Sequence, residues 1–327
     1  MCCYYDPKDC SEKPELPEMT ALNGILKDRV LLIFLTSLVL TVFVPDLFGS
    51  YWAIVALNLM MWVSLTQSWT LFSGMTGYIS LGHVVFYGIG AYVVASTFKV
   101  LPLWVSIPLG GVVAGVLALL VAIPVLRVRG PYFVILTFGL AELVKYIVLN
   151  VETSIGKSSR LLFGAPTIET LLYIMIGLAV IATLMTKLVS QSRFGRGLSA
   201  IRDDEITAET VGVPVVKYKI TAFTLSAVIP GMVGGVIALK STYFEVLQVF
   251  NPVISFTVVT MAIIGGSGDV RGPFMGAAFL LLLSELFWAT IPQIYMILVG
   301  LFLIVFVVFA PNGIAAILWP ARSRDSQ

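Results

Sequence analysis

The sequence is poor in charged residues. Only 12% of its 327 residues are Asp, Glu, Lys or Arg, about half the share found in an average soluble domain. Hydrophobic residues make up 58% of the chain, and the mean hydropathy is +0.99. The formal net charge of +2 gives no reason to expect nucleic acid as a partner. The composition therefore predicts a polytopic membrane protein with an all-α fold.

Residues for metal or redox chemistry are also scarce. Cys2, Cys3 and Cys10 lie in the N-terminal tail, and His83 is the only histidine. An odd number of cysteines without paired ligand spacing argues against a disulfide framework or a zinc site. The Gly-Lys-Ser sequence at 156–158 lacks the earlier glycine of a phosphate-binding loop. We expect no catalytic residue, metal or cofactor in this chain, so uphill transport would draw its energy from an ion or another subunit.

About ten hydrophobic segments, some broken by glycine, predict a transmembrane helical bundle. They are 30–44, 51–72, 83–98, 102–126, 131–150, 167–189, 220–239, 252–264, 277–289 and 294–310. Residues 1–29 are predicted to be a disordered cytoplasmic tail, 30–310 the transmembrane domain and 311–327 a second cytoplasmic tail. If the spans alternate, most basic residues of the short loops share the side of these tails, so both termini are predicted to be cytoplasmic.

Two glycine-rich breaks, at 73–82 and 265–276, interrupt the hydrophobic pattern. Irregular backbone at membrane depth is tolerated only where it lines a cavity or is buried in protein. One break in each half of the chain therefore predicts a central substrate pathway. The alternative is that the glycines permit close helix packing. The predicted pathway residues are Gly77, Ser80, Gly82, His83, Gly265, Gly266 and Gly268.

A few polar residues interrupt the apolar runs. His83 follows the first break, where free N–H groups of a new helix would suit a carboxylate; alternatively, His83 bonds a neighbouring carbonyl. Glu142 and Lys145 have the spacing of a helical ion pair. Glu285 has no evident partner, so it is predicted to face the bundle interior, to be protonated, or to belong to an ion pathway.

The segment 191–219 is too highly charged to lie in hydrocarbon. Asp203 or Asp204 can cap a short helix, and Glu205 would then occupy its first turn. Gly212 can end that helix, and Pro214 prevents it from resuming. The segment is either a solvated interhelical loop or a docking helix for a soluble partner.

Four separated motifs, in order between about residues 50 and 310, resemble the membrane permeases of branched-chain amino acid ABC importers. The long basic loop is more similar to the M-type subunit of that heterodimeric pair than to the H-type. The motifs are 77–92 (GYISLGHVVFYGIGAY), 129–133 (RGPYF), 195–219 (GRGLSAIRDDEITAETVGVPVVKYK) and 265–276 (GGSGDVRGPFMG).

The resemblance implies a second, H-type permease, two cytoplasmic ATPase subunits that bind ATP and Mg²⁺, and a periplasmic or lipid-anchored binding protein, all at a bacterial inner membrane. It also implies that residues 203–212 dock on an ATPase. The general permease pattern Glu-Ala-Ala-x-x-x-Gly is only partly met, because Ile206 and Thr207 replace its Glu and first Ala. Which carboxylate anchors the segment is therefore left open among Asp203, Asp204 and Glu205. The predicted coupling residues are Arg202, Asp203, Asp204, Glu205, Ala208 and Gly212.

Other functions remain open at this point. Related permeases are associated with urea, amides or small organic acids, and nothing in this chain selects the cargo. An ion-coupled secondary transporter would depend on Glu285 or Glu142 and not on the segment 191–219. A scaffold without transport activity would not need two glycine-broken segments.

Overall fold

A computed structural model describes residues 49–156, 159–162, 164–266, 271–288 and 300–301. Several predicted features lie outside these residues. They are the two tails 1–29 and 311–327, the hydrophobic run 30–44, the run 294–310 apart from residues 300–301, the three cysteines, and Gly268.

The eight hydrophobic runs from 51–72 to 277–289 all coincide with helices, which confirms the all-α polytopic fold. Among the residues that the structure describes, six helical segments are long and apolar enough to cross a membrane. The α-helices are α1 Ser50–Trp69, α2 His83–Thr97, α3 Leu103–Val125, α4 Pro131–Ser154, α5 Ile168–Gln191, α6 Arg193–Asp203, α7 Glu205–Thr210, α8 Val215–Ser241, α9 Val246–Val249, α10 Pro252–Gly265 and α11 Arg271–Trp288. A π-helical turn, Thr70–Gly74, continues α1.

Helix α2 is too short to cross the hydrocarbon by itself. Its 15 residues rise about 22 Å, against a hydrocarbon thickness of roughly 30 Å. Irregular backbone at 77–82 precedes it. The first glycine-rich segment is thus a genuine break between the turn that continues α1 and the start of α2.

Helix α8 packs against both α2 and α3 through backbone contacts at glycines. A Cβ atom placed on Gly90 of α2 would lie 1.9 Å from the carbonyl oxygen of Gly231 on α8. A Cβ on Gly234 would lie 2.0 Å from the carbonyl oxygen of Tyr87. Small residues let helix backbones approach this closely, so the glycines of α2 and α8 set the spacing of the core.

The polar connections gather at two ends of the helices. At one end, a two-residue strand β1, Arg160–Leu161, pairs antiparallel with β2, Tyr243–Phe244. At the other end, Arg129 contacts Glu205 of α7. The alternation of spans assumed in the sequence analysis leads to the same grouping. It places the loop around residue 160 on the same side as the end of α8, and it places Arg129 on the same side as the segment 191–219.

The described glycines on either side of the second break pack closely. A Cβ on Gly265 would lie 1.9 Å from the carbonyl oxygen of Gly272, and one on Gly276 would lie 1.9 Å from that of Met261. Gly266 ends α10 with a φ of 98°. Here the packing interpretation accounts for Gly265 better than a pathway role does, because α10 and α11 meet backbone to backbone.

Two predictions about membrane carboxylates have different outcomes. Glu142 and Lys145 form the predicted ion pair. The expectation that Glu285 has no partner is wrong, because the hydroxyl of Tyr51 donates a hydrogen bond to its carboxylate. The sequence could not show this contact, since the two residues are far apart in the chain and meet where α11 packs on α1.

We expect Gly90→Ala to destabilise the protein severely, since the new methyl group would meet the backbone of Gly231. Overpacking costs about 1–3 kcal/mol, and an obstacle of backbone atoms places this variant at the upper end. Gly139→Ala on α4 is the matched control, because nothing lies within 4 Å of its added Cβ. Thermal unfolding of the detergent-purified variants measures both. Equal midpoints for the two variants would contradict the proposed spacing role.

Candidate functional site

Helix α7 is a short capped helix within the segment 191–219, as predicted. The 11-residue helix α6, which the sequence analysis did not predict, precedes it. The carboxylate Oδ1 of Asp204 accepts hydrogen bonds from the backbone N–H groups of Ile206 at 2.8 Å and Thr207 at 3.2 Å. These bonds hold the pKa of Asp204 below its usual value. Gly212 follows the helix with a φ of 91°. Asp204 is therefore the cap, and Asp203 ends the preceding helix α6.

Glu205 lies at the centre of a cluster of charged and polar side chains. Its Oε1 accepts a hydrogen bond from Lys219 Nζ at 2.6 Å, and its Oε2 accepts one from the Tyr78 hydroxyl at 2.6 Å. Arg129 Nη2 lies 3.3 Å from the same Oε1. The four residues come from the first break, the α3–α4 loop, α7 and α8. Among the three candidate carboxylates, Glu205 is thus the one that anchors the segment to the helices.

The surroundings of Glu205 keep it ionised. Burial by itself would raise the pKa of Glu205, but hydrogen bonds from Lys219 and Tyr78 and the charges of Lys219 and Arg129 outweigh it, so the pKa is lowered. Burial and the hydrogen bond to Glu205 raise the pKa of Tyr78, which keeps its hydroxyl protonated as a donor. Lys219 is only 2% exposed, and a buried charge of this kind needs its partner.

The first half of the first glycine-rich break, which includes Gly74 and Gly77, contacts α6. Arg202 Nη1 donates a hydrogen bond to the carbonyl oxygen of Gly74 at 2.9 Å. Gly77 has a φ of 77°, and a Cβ there would lie 3.3 Å from Arg202 Cγ. A cavity of about 420 Å³ opens between the break, the start of α4 and α6. Its lining includes Gly77, Ile79, Pro131, Val134, Ile201 and Arg202.

The second half of the break is buried, and its backbone donors are occupied. The Leu81 N–H donates to Thr137 Oγ1 at 3.2 Å, and the Val84 N–H donates to Ser255 Oγ at 3.2 Å. The expectation of free N–H groups at the start of α2 is therefore wrong for these two donors. Hydroxyl groups from α4 and α10 satisfy them, and sequence periodicity cannot show which helices lie beside the break.

Ser80, Gly82 and His83 lie together in this buried half. The carbonyl oxygen of Ser80 accepts a hydrogen bond from Trp69 Nε1 at 2.9 Å. A Cβ on Gly82 would meet Thr137 at ordinary contact distances of 3.5–3.6 Å, so a methyl group fits there.

His83 is buried, at 3% exposure, and packs edge-on to Phe86 with ring centroids 6.0 Å apart. Neither ring nitrogen has a hydrogen-bond partner among the residues that the structure describes. The alternative in which His83 bonds a neighbouring carbonyl is therefore wrong in this conformation. Buried polar atoms are rarely left unpaired, which distinguishes His83 from the other residues of the break.

The sequence pattern does not single out Tyr78, Thr137 or Ser255. The one sequence feature that points to this cluster is Lys219, a charged residue at the edge of an apolar run. A charge in that position requires a partner nearby. Its partner Glu205 was among the candidates. Tyr78 carries no such signal, since a tyrosine beside a glycine fits any loop.

Comparison with known proteins covers most of the chain. Residues 47–308 match the sequence model of a family described as branched-chain amino acid transport system / permease component. The chain is 26% identical over 337 residues to the high-affinity branched-chain amino acid transport system permease protein LivM of Escherichia coli, covering 92% of this chain and 78% of LivM. No solved structure matches the chain.

LivH proteins are similar to the chain as well. The probable branched-chain amino acid transport permease protein LivH of Methanocaldococcus jannaschii is 26% identical over 271 residues, which cover 82% of this chain and 79% of that protein. LivH of Escherichia coli K12 is 25% identical over 187 residues, 56% of this chain and 58% of LivH.

We expect Glu205→Gln to loosen α7, because a neutral amide leaves Lys219 without its counter-charge. Hydrogen exchange of the α7 amides, corrected for the intrinsic rate at each pH, should become about tenfold faster near pH 7. Glu209→Gln on the exposed face of the same helix is the control and should leave the exchange unchanged.

The same measurement has an expected pH dependence. Since the folded-state pKa of Glu205 lies below its ordinary value of 4.5, its stabilisation is present above pH 4.5 and is lost as the pH falls through the lowered pKa. The difference between the native chain and Glu205→Gln should therefore disappear in acid. A difference that persists there would show that the carboxylate charge is not what holds α7.

Proposed function

The chain belongs to the family of branched-chain amino acid transport system permease components, and we propose that it is the M-type transmembrane subunit of an ATP-driven ABC importer for branched-chain amino acids. The observation that carries this proposal is the family match over residues 47–308. The long alignment with LivM of Escherichia coli, which covers 92% of this chain, supports the M-type assignment.

The surface of α7 supports a docking role. Ile206 and Val211 are 68% and 78% exposed, while Ala208 is buried against the rest of the chain. Exposed apolar side chains on a short helix and at its C-terminal end, outside the spans, suit a groove on a soluble partner. We assign Ile206 and Val211 to the ATPase contact. Within the predicted coupling set, Asp204 and Glu205 act inside the chain, as cap and anchor.

The proposed machine has the partners that the resemblance implies. A second, H-type permease completes the membrane core, two cytoplasmic ATPases bind ATP and Mg²⁺, and a binding protein delivers the substrate. This chain performs no bond chemistry. The α7 side faces the cytoplasm of a bacterial inner membrane, both termini lie on that side, and about ten hydrophobic segments cross or enter the membrane.

The mechanism follows from rigid helices with two packed arrangements. Closure of the ATPases on ATP moves α7, and that movement shifts the transmembrane helices between inward-open and outward-open states. In this mechanism the N–H group of the His83 ring donates a hydrogen bond to the substrate carboxylate when the buried half of the first break opens.

An ion-coupled transporter receives less support. Its two candidate carboxylates are both engaged, Glu285 by Tyr51 and Glu142 by Lys145. A structural role accounts for both contacts. The other cargoes associated with related permeases have no feature of this chain in their favour.

We expect Ile206→Asp combined with Val211→Asp to abolish co-purification of the ATPase subunits from detergent, because two charges would face an apolar groove. Neither side chain supports the fold, so thermal stability should be unchanged. Val100→Asp is the control, at 83% exposure in the α2–α3 loop; α3 runs antiparallel to α8, which places this loop far from α7. ATPase retention by the double variant, or equal loss from the control, would contradict the docking role.

We expect His83→Phe to separate stability from transport. Phenylalanine preserves the contact with Phe86 and removes two buried polar atoms without partners, so the thermal midpoint should stay or rise. ATP-dependent leucine uptake should fall at least about tenfold, since the loss of a hydrogen bond to a charged group costs about 1.5–3 kcal/mol. Native uptake by this variant would rule out His83 as a substrate ligand.

A further inference from the structure

A continuous series of aromatic contacts runs from the Glu205 cluster into the bundle. Its inner members are fully buried phenylalanines from four different segments of the chain. The ring centroids are 5.3, 6.1, 5.0, 5.4 and 6.0 Å apart in succession along Tyr78, Phe133, Phe72, Phe223, Phe86 and His83. The series therefore joins the anchor of α7 to the histidine with unpaired ring nitrogens.

Tyr78 belongs both to the Glu205 cluster and to the aromatic series. Its hydroxyl donates to Glu205 Oε2 at 2.6 Å and accepts from Lys219 Nζ at 3.2 Å. Its ring lies edge-on to Phe133, and Lys219 Nζ lies 4.6 Å from its centroid. One end of this side chain thus belongs to the ion cluster, and the other end packs on the apolar series.

We infer that Tyr78 is the joint through which movement of α7 reaches the interior of the bundle and reorients the surroundings of His83. This inference rests on the proposed function. Close-packed side chains transmit displacement because they cannot be compressed. Glu205 is the first residue of α7, so a shift of that helix pulls directly on the Tyr78 hydroxyl.

Two contacts of α6 support this direction of transmission. Arg202 holds the carbonyl oxygen of Gly74 and packs on Gly77, so the backbone on the N-terminal side of Tyr78 also follows the α6–α7 segment. The break has irregular backbone from Gly77 to Gly82, which can change shape without breaking helical hydrogen bonds. Tyr78 is therefore a positioning residue and does not itself touch the substrate.

Continuity of packing amounts to coupling only if the two ends move together, so the test measures coupling. The complete importer is reconstituted in proteoliposomes with the binding protein and leucine on the side that the binding protein serves. Leucine uptake and ATP hydrolysis are measured in the same vesicles. The quantity compared is leucine taken up per ATP hydrolysed, which does not depend on how much complex assembles.

Tyr78→Phe removes the hydroxyl and keeps the ring. We expect ATP hydrolysis to stay near the native rate and uptake per ATP to fall about tenfold. Phe133→Leu keeps the ion cluster and interrupts the aromatic series, so it should lower the same ratio. Tyr132→Phe makes the same chemical change at an exposed tyrosine of α4 and should leave the ratio unchanged.

A double variant tests whether the hydroxyl acts through Glu205. If Tyr78→Phe and Glu205→Gln break one shared link, the combined loss in uptake per ATP should not exceed the larger single loss. Additive losses would overturn the inference, as would a native ratio in Tyr78→Phe or a ratio equal to that of Tyr132→Phe. A native complex without ATP-dependent leucine uptake would overturn the proposed function as well, which distinguishes the two failures.

Discussion

The ion pair between Glu205 and Lys219 ties the polar segment of this protein to its membrane helices. Lys219 is buried near the start of α8, and a charge in such a place is stable only with a counter-charge and further hydrogen bonds. Glu205 supplies the charge, and Tyr78 adds a hydrogen bond. Movement of α7 therefore either carries α8 and the first break with it or leaves a buried charge unpaired. This constraint makes a six-residue helix mechanically relevant to the whole bundle.

Glycine has two different roles in the chain. In α2, α8, α10 and α11 it removes side chains so that helix backbones can touch, as Gly90 and Gly265 show. In the first break, Gly77 instead permits a left-handed backbone turn against Arg202. The sequence shows clusters of glycine in both places, but the physical role depends on what lies opposite each Cα atom. The first role produces a closely packed core, and the second produces an irregular segment beside α6.

The buried half of the first break combines satisfied and unsatisfied polar groups. Thr137 and Ser255 bind backbone N–H groups that a broken helix would otherwise leave unpaired in an apolar interior. His83 lies beside them with both ring nitrogens unpaired among the described residues. The backbone of the break is thus stabilised in this conformation, while one side chain retains unused hydrogen-bonding capacity. That asymmetry suits a site that binds a ligand transiently.

The sequence by itself determined the all-α membrane fold, the positions of eight helices, a short helix capped by Asp203 or Asp204 and the Glu142–Lys145 pair. These features depend on composition, periodicity and contacts within a few residues, which a linear pattern records. Only the tertiary structure decided that Glu205 anchors the polar segment and that Tyr51 binds Glu285. It also decided that hydroxyl groups accept hydrogen bonds from backbone N–H groups at the first break. Each of these depends on residues distant in the chain, such as Tyr78 and Glu205, which become neighbours only when the helices pack.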